Sequence, residues 1–176
     1  MNTVGGKQEG LTLLELIVVL AVASILLSVG IPSFRGVIMD NRLSDQSNAF
    51  VSSVSAARSA AVRYQRDVTL CPISNYGSAL PTCAGGTDWS TGWMVWVDRD
   101  RDGIASADEV VLVQEPMHSS LTFQSLNATA IDYDARGFLD AGNNEVLVCD
   151  SRSGEEGRLI RINGVGRTEV TRQACP

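Results

Sequence analysis

The stretch "DRDRDGIASADE", residues 98–109, comes nearest in this 176-residue chain to a chemical site. Asp98, Asp100, Asp102 and Glu109, with the Ile104 carbonyl and a turn at Gly103, follow the order in which a helix–loop–helix calcium site presents its oxygens. The flanking runs WMVWV and VVLV are strand-like where that site requires helices. The same letters then describe an acidic hairpin tip in which Arg99 and Arg101 offset the acids. The expectation is no cofactor, with calcium on Asp98, Asp100, Asp102 and Glu109 as the alternative. A second cluster, "GRLIRINGVGRTEVTRQAC", holds Arg158, Arg161, Arg167 and Arg172. Guanidinium groups of this kind fork onto phosphate or carboxylate. Alternation places Arg158 and Arg161 on opposite faces of a strand, so the expected role is solvated arginines or salt bridges between subunits, with nucleic acid as the alternative. His118 is the single histidine, and no nucleophile motif accompanies it. No hydrolase constellation exists, and the chain is not expected to be an enzyme.

Composition narrows the partners. The formal net charge is −6, with Lys7 as the one lysine, which argues against general attraction to nucleic acid or anionic lipid. Four cysteines, Cys71, Cys83, Cys149 and Cys175, lack the close pairs of a zinc or redox motif and point to disulfides in an oxidising compartment. Of the three possible pairings, Cys71 with Cys83 and Cys149 with Cys175 are expected, because each encloses a short, turn-rich segment.

These residues need elements to hold them. Between Glu15 and Arg35 lie 19 uncharged residues, which as a helix span about 28 Å, roughly a bilayer's hydrocarbon thickness. The run predicts a transmembrane segment over residues 11–34, entered from a cytoplasmic N-terminus that carries Lys7. From 35 to 67 the pattern stays helical, with Leu43, Phe50, Val54, Ala57, Ala61 and Tyr64 on one apolar stripe and Arg42, Arg58, Arg63 and Arg66 facing water or partner subunits. Pro32 is expected to kink or loosen the helix. Residues 68–176 change to short β-type runs, VTLC, WMVWV, VVLV, LTF, AIDY, EVLVC, RLIRI and TEVT, separated by turn residues. Trp93 and Trp96, three apart in one run, face opposite sides, so one belongs to the core. The fold class is α+β, with the long helix packed on an antiparallel sheet domain.

Glu15 sits one turn inside the apolar segment, where a charge costs about 2.5 to 3.5 kcal/mol near the bilayer centre and less at its edge. It snorkels to water or has a partner. The surrounding "GLTLLELIVVL" resembles the class III leader junction of the type IV pilin-like superfamily: a polar leader over residues 1–10 ending in Gly10, an apolar first residue, and glutamate as the fifth residue of the mature chain. Leu11 stands where that family usually has phenylalanine. The resemblance implies cleavage by a prepilin peptidase between Gly10 and Leu11, N-methylation of Leu11, and a Glu15 that meets the cationic N-terminus of a neighbouring subunit during assembly. The order of elements, the "WMVWVDRDRDGIASADEVV" hairpin and the closing Gly-Arg strand resemble the GspH/FimT family, whose pilin-like fold the chain is expected to share. That implies a minor pilin of the FimU/FimT kind in initiation or tip assembly of type IV pili. The alternatives are a GspH-like pseudopilin of a type II secretion system and a pilus-associated DNA receptor. Partners are then other pilins or pseudopilins, the peptidase, the assembly platform and the inner membrane, with the C-terminal domain periplasmic. DNA receptors in this family use Gly-Arg-x-Arg. Gly166 and Arg167 match it, whereas Glu169 replaces the second arginine with a group that repels phosphate.

Overall fold

The computed structural model describes residues 12–152, 154 and 156–176. Gly10 and Leu11, the expected cleavage and methylation positions, lie outside the described residues. The chain divides into two units between Asp40 and Asn41.

Helix α1 runs from Leu13 to Tyr64, its backbone helical through Pro32. In the first unit its apolar residues are exposed, Leu14, Val18, Ile25 and Val29 each more than half so. It is the one helix among the described residues long and apolar enough to cross a membrane. In the second unit Leu43, Ser47, Phe50, Val54, Ala57 and Ala61 recur every three or four residues and are buried. Tyr64, expected on that stripe, is 37% exposed. It falls at the helix end, where the Arg99 guanidinium lies 4.7 Å from its ring centre. The helix stops because Gln65 takes a left-handed φ of 53° and the Arg66 amide donates back to the Ala61 carbonyl, a Schellman closure made without glycine.

Eight strands follow: β1 (Val68–Pro72), β2 (Trp93–Val97), β3 (Val110–Gln114), β4 (Leu121–Ser125), β5 (Ile131–Tyr133), β6 (Asn144–Asp150), β7 (Glu156–Ile162) and β8 (Thr168–Ala174). They form two antiparallel four-stranded sheets, β3-β2-β1-β5 and β4-β6-β7-β8. One core joins Phe50, Val54 and Ala57 of the helix to Leu70, Trp93, Val95, Phe123, Val146 and Ile160, so residues of both sheets meet those of the helix. Strand β2 is buried on both faces, which accounts for its unbroken apolar run. Trp93 enters the main core and donates to the Ser53 hydroxyl at 2.9 Å, whereas Trp96 joins Cys71, Ile73 and Met94 in a second cluster. The two tryptophans therefore face opposite sides, and both sides are covered.

Candidate functional site

The beginning of α1 is built by a threonine. The Glu15 amide donates to the Thr12 hydroxyl at 3.2 Å and the Leu16 amide to the Thr12 carbonyl at 3.1 Å, so Thr12 is the N-cap and Glu15 stands at the third helical position. The cap occupies an otherwise orphan helical amide. The Glu15 carboxylate itself engages no partner among the described residues. A carboxylate in the first turn also favours the positive end of the helix dipole. The sequence signal for this arrangement is Thr-x-x-Glu before an apolar run, here "TLLE".

Both cysteine pairs are bonded, Cys71 to Cys83 and Cys149 to Cys175, across sequence separations of 12 and 26 residues. Cross-links over loops of that size remove about 3 kcal/mol of chain entropy each from the unfolded state. The first ties the Asn75–Thr82 excursion to β1; the second fixes the C-terminus to β6. A side chain at Gly157 would lie 2.8 Å from the Cys175 sulfur, so only glycine lets β7 pass beneath the second bridge.

Within the acidic loop, Asp98, Asp100 and Asp102 place carboxylate oxygens within 4.8 Å of one another. Glu109 is occupied elsewhere. It is buried, and its Oε1 accepts the Arg99 amide at 2.7 Å while Oε2 accepts the Ser106 amide at 3.0 Å and the Ser106 hydroxyl at 2.8 Å. Its carboxylate thus closes the loop as a clasp on backbone donors. The Ser106 hydroxyl and the Arg99 amide hold the Glu109 carboxyl below its ordinary range. A depressed folded pKa stabilises fully above the unfolded value of about 4.5 and is lost as pH falls through the folded value. The loop is therefore expected to loosen on acidification below pH 4.5, with the protection of the Arg99 and Ser106 amides, relative to their intrinsic exchange, falling. Glu109→Gln should lower that protection already at neutral pH and remove its acid dependence.

The four C-terminal arginines do not form one basic surface. Arg158 and Arg172 are opposed across β7 and β8, and Arg172 lies 3.7 Å from Glu156. Arg161 is aligned with Glu145 of β6 on one side and Glu169 of β8 on the other, and its Nε donates to Glu145 Oε1 at 2.7 Å. Parity puts Arg158 and Arg161 on opposite faces. Arg161, Arg167, Glu145 and Glu169, with Asn143, Asn163 and Thr168, line an open cleft of about 520 Å³ above Ile162. Gly166, at φ 73° in the β7–β8 turn, has a structural use: a side chain there would lie 3.0 Å from Arg58 Cδ and 2.9 Å from the Tyr133 ring. Burial pushes the Tyr133 phenol up to about 12, against the opposing pull of Arg58, so it stays neutral. His118, by contrast, is an exposed acceptor for the Ser120 amide and for Arg42, which ties α1 to the β3–β4 connection.

A family model described as Type II transport protein GspH matches residues 46–166, and one described as the prokaryotic N-terminal methylation motif matches residues 5–31. The chain belongs to the GspH family. Its fold is that of a pilin. The type IV minor pilin FimU of Pseudomonas aeruginosa PAO1 superimposes in two crystal forms. In one the TM-score is 0.59 at 18% identity, covering 78% of this chain and 95% of the crystallised chain; in the other it is 0.56 at 17%, covering 75% and 96%. Prepilin peptidase-dependent protein D of Escherichia coli K12 is 34% identical over 82 residues. That match covers 47% of each protein, so the GspH-family chain spans about half the length of this curated relative.

Proposed function

We propose that this GspH-family chain is a minor pilin of the FimU/FimT kind, stored in the inner membrane and drawn into the initiating or tip part of a type IV pilus. Prepilin peptidase cleaves it after Gly10 and methylates Leu11. Its N-terminus is cytoplasmic and the β-rich domain, residues 68–176, is periplasmic, in keeping with two disulfides. Its work is assembly and not catalysis, with other pilins and the assembly platform as partners. The observation that carries this reading is the Glu15 carboxylate, without a partner among the described residues, in the first turn of an exposed apolar helix whose start Thr12 caps. A plain anchor gains nothing from such a charge. In a bundle of such helices, the carboxylate is neutralised by the amino terminus of a neighbour.

A strain lacking the gene, assayed for twitching, type II secretion and natural transformation, tests the assignment. Loss of twitching with secretion retained is expected. Loss of secretion alone makes the chain a GspH-like pseudopilin, and loss of transformation alone makes it a DNA receptor. The chain acts without a cofactor, its acidic loop being closed by Glu109. Repeating the acid titration of that loop in millimolar calcium should leave the midpoint in place, whereas stabilisation by calcium would assign the three aspartates to the ion.

A further inference from the structure

Three apolar side chains stand out of the second unit around one cation. Val62 of α1, Phe138 after β5 and Val165 in the β7–β8 turn are 53%, 43% and 44% exposed. The two turns are tied where the Leu139 amide donates to the Gly164 carbonyl at 3.0 Å. Arg58, one helical turn before Val62, passes between them. A side chain at Gly137 would lie 3.2 Å from Arg58 Cγ and 2.9 Å from Val62, and one at Gly166 3.0 Å from Arg58 Cδ. Glycine at both places leaves room for the arginine stem, which is thereby held on two sides.

The head of that side chain meets no acceptor. Arg58 makes no hydrogen bond or ion pair among the described residues. Asp134, the acid of the nearer turn, is already committed: its Oδ1 accepts the Arg136 and Phe138 amides and its Oδ2 accepts Arg136 Nη2 at 2.6 Å. The neighbouring Tyr133 hydroxyl is buried and likewise has no hydrogen-bond partner among the described residues. A guanidinium is a weakly hydrated fork that matches a carboxylate, and one whose stem is held in place loses little freedom on binding it. Apolar side chains around such a cation exclude water from the pair, the arrangement by which arginine anchors protein interfaces. A polyanion gains instead by the number of phosphates it neutralises, which an apolar rim on a chain of net charge −6 does not favour.

We propose that Arg58, rimmed by Val62, Phe138 and Val165, receives a carboxylate carried on an apolar surface of a different pilin subunit beside this one. The inference rests on the reading of the chain as a minor pilin among other pilins and names the surface by which it holds one of them. The partner's acid is flanked by apolar residues, since it must cover the rim while it reaches the guanidinium.

The test places the photo-reactive benzoylphenylalanine at Phe138, an exposed aromatic position, in the full chain expressed in cells that assemble pili. Illumination of sheared filaments should join it to another pilin, at a peptide holding Asp or Glu among apolar residues. Arg58→Gln should lower that yield about tenfold, and Arg58→Lys, which keeps the charge without the fork, should lower it less. Arg58→Glu should abolish the product, and changing the identified acid of the partner to arginine should restore it, which a merely misfolded variant would not allow. A product with a second copy of this chain, a yield indifferent to Arg58→Gln, or a failed rescue overturns the proposal. So does a product with nucleic acid. A chain found in filaments without the product overturns this contact and leaves the minor-pilin reading standing, whereas a chain absent from filaments overturns both.

Discussion

Replacing Glu15 by glutamine should leave the chain fully inserted in the membrane and cut its incorporation into filaments by at least about tenfold, the scale of one well-placed charge pair. The substitution keeps size and shape and removes only the charge. Insertion improves or is unchanged, because an uncharged amide is cheaper than a carboxylate at the edge of an apolar helix. The Thr12 cap should survive, since the bond it accepts comes from the backbone amide of residue 15 and not from the side chain. On the proposed reading, what is lost is the group that meets a neighbour's cationic amino terminus. In a medium of low dielectric that pair is worth far more than at a protein surface, and an unpaired partner charge would be left behind in the bundle. The measurement is the ratio of the chain in sheared filaments to that in membranes, wild type against variant. Thr12→Ala serves as the companion: it frays the helix start by about 1 kcal/mol and should reduce incorporation far less. Equal incorporation of Glu15→Gln and wild type would return Glu15 to the role of a snorkelling surface acid.

The strands were legible because turn residues punctuate short β-branched runs, and each of the eight runs became a strand. Their distribution over two sheets was not, because the order β4-β6-β7-β8 depends on which edges meet across long connections, and periodicity carries no such information. The helix stripe failed only at Tyr64, where the chain turns left-handed at Gln65 and the next turn of helix that would have covered the ring is missing. Glu109 shows a different limit. Spacing can order the oxygens of a loop, but it does not reveal that one carboxylate is already committed to backbone amides and a serine hydroxyl. The reverse holds for Gly166, which sequence pattern offered as half of a phosphate motif and which the fold uses to admit Arg58 and Tyr133.

Phe50→Ala is expected to be the most damaging single substitution to stability, at about 3 to 5 kcal/mol, against the roughly 5 to 15 kcal/mol that holds a typical domain folded. Phe50 is fully buried, and its ring meets three others edge to face, Trp89 and Trp93 at 5.4 Å and Phe123 at 4.8 Å between centres. Trp93 belongs to β2 and Phe123 to β4, so this one side chain bridges the helix to both sheets. Removing it leaves a cavity that rigid neighbours fill poorly: Trp93 is pinned to Ser53, and Phe123 packs on Trp93 at 5.5 Å. Neither disulfide spans the gap, since Cys71–Cys83 lies at the first sheet and Cys149–Cys175 at the second. Denaturant unfolding of the full chain in detergent, followed by tryptophan fluorescence, should show the midpoint falling steeply for Phe50→Ala. Phe50→Leu, which refills most of the volume, should recover more than half of the loss. If alanine and leucine gave the same small shift, the two sheets would be joined mainly by other contacts, and the helix would not be the element that holds them together.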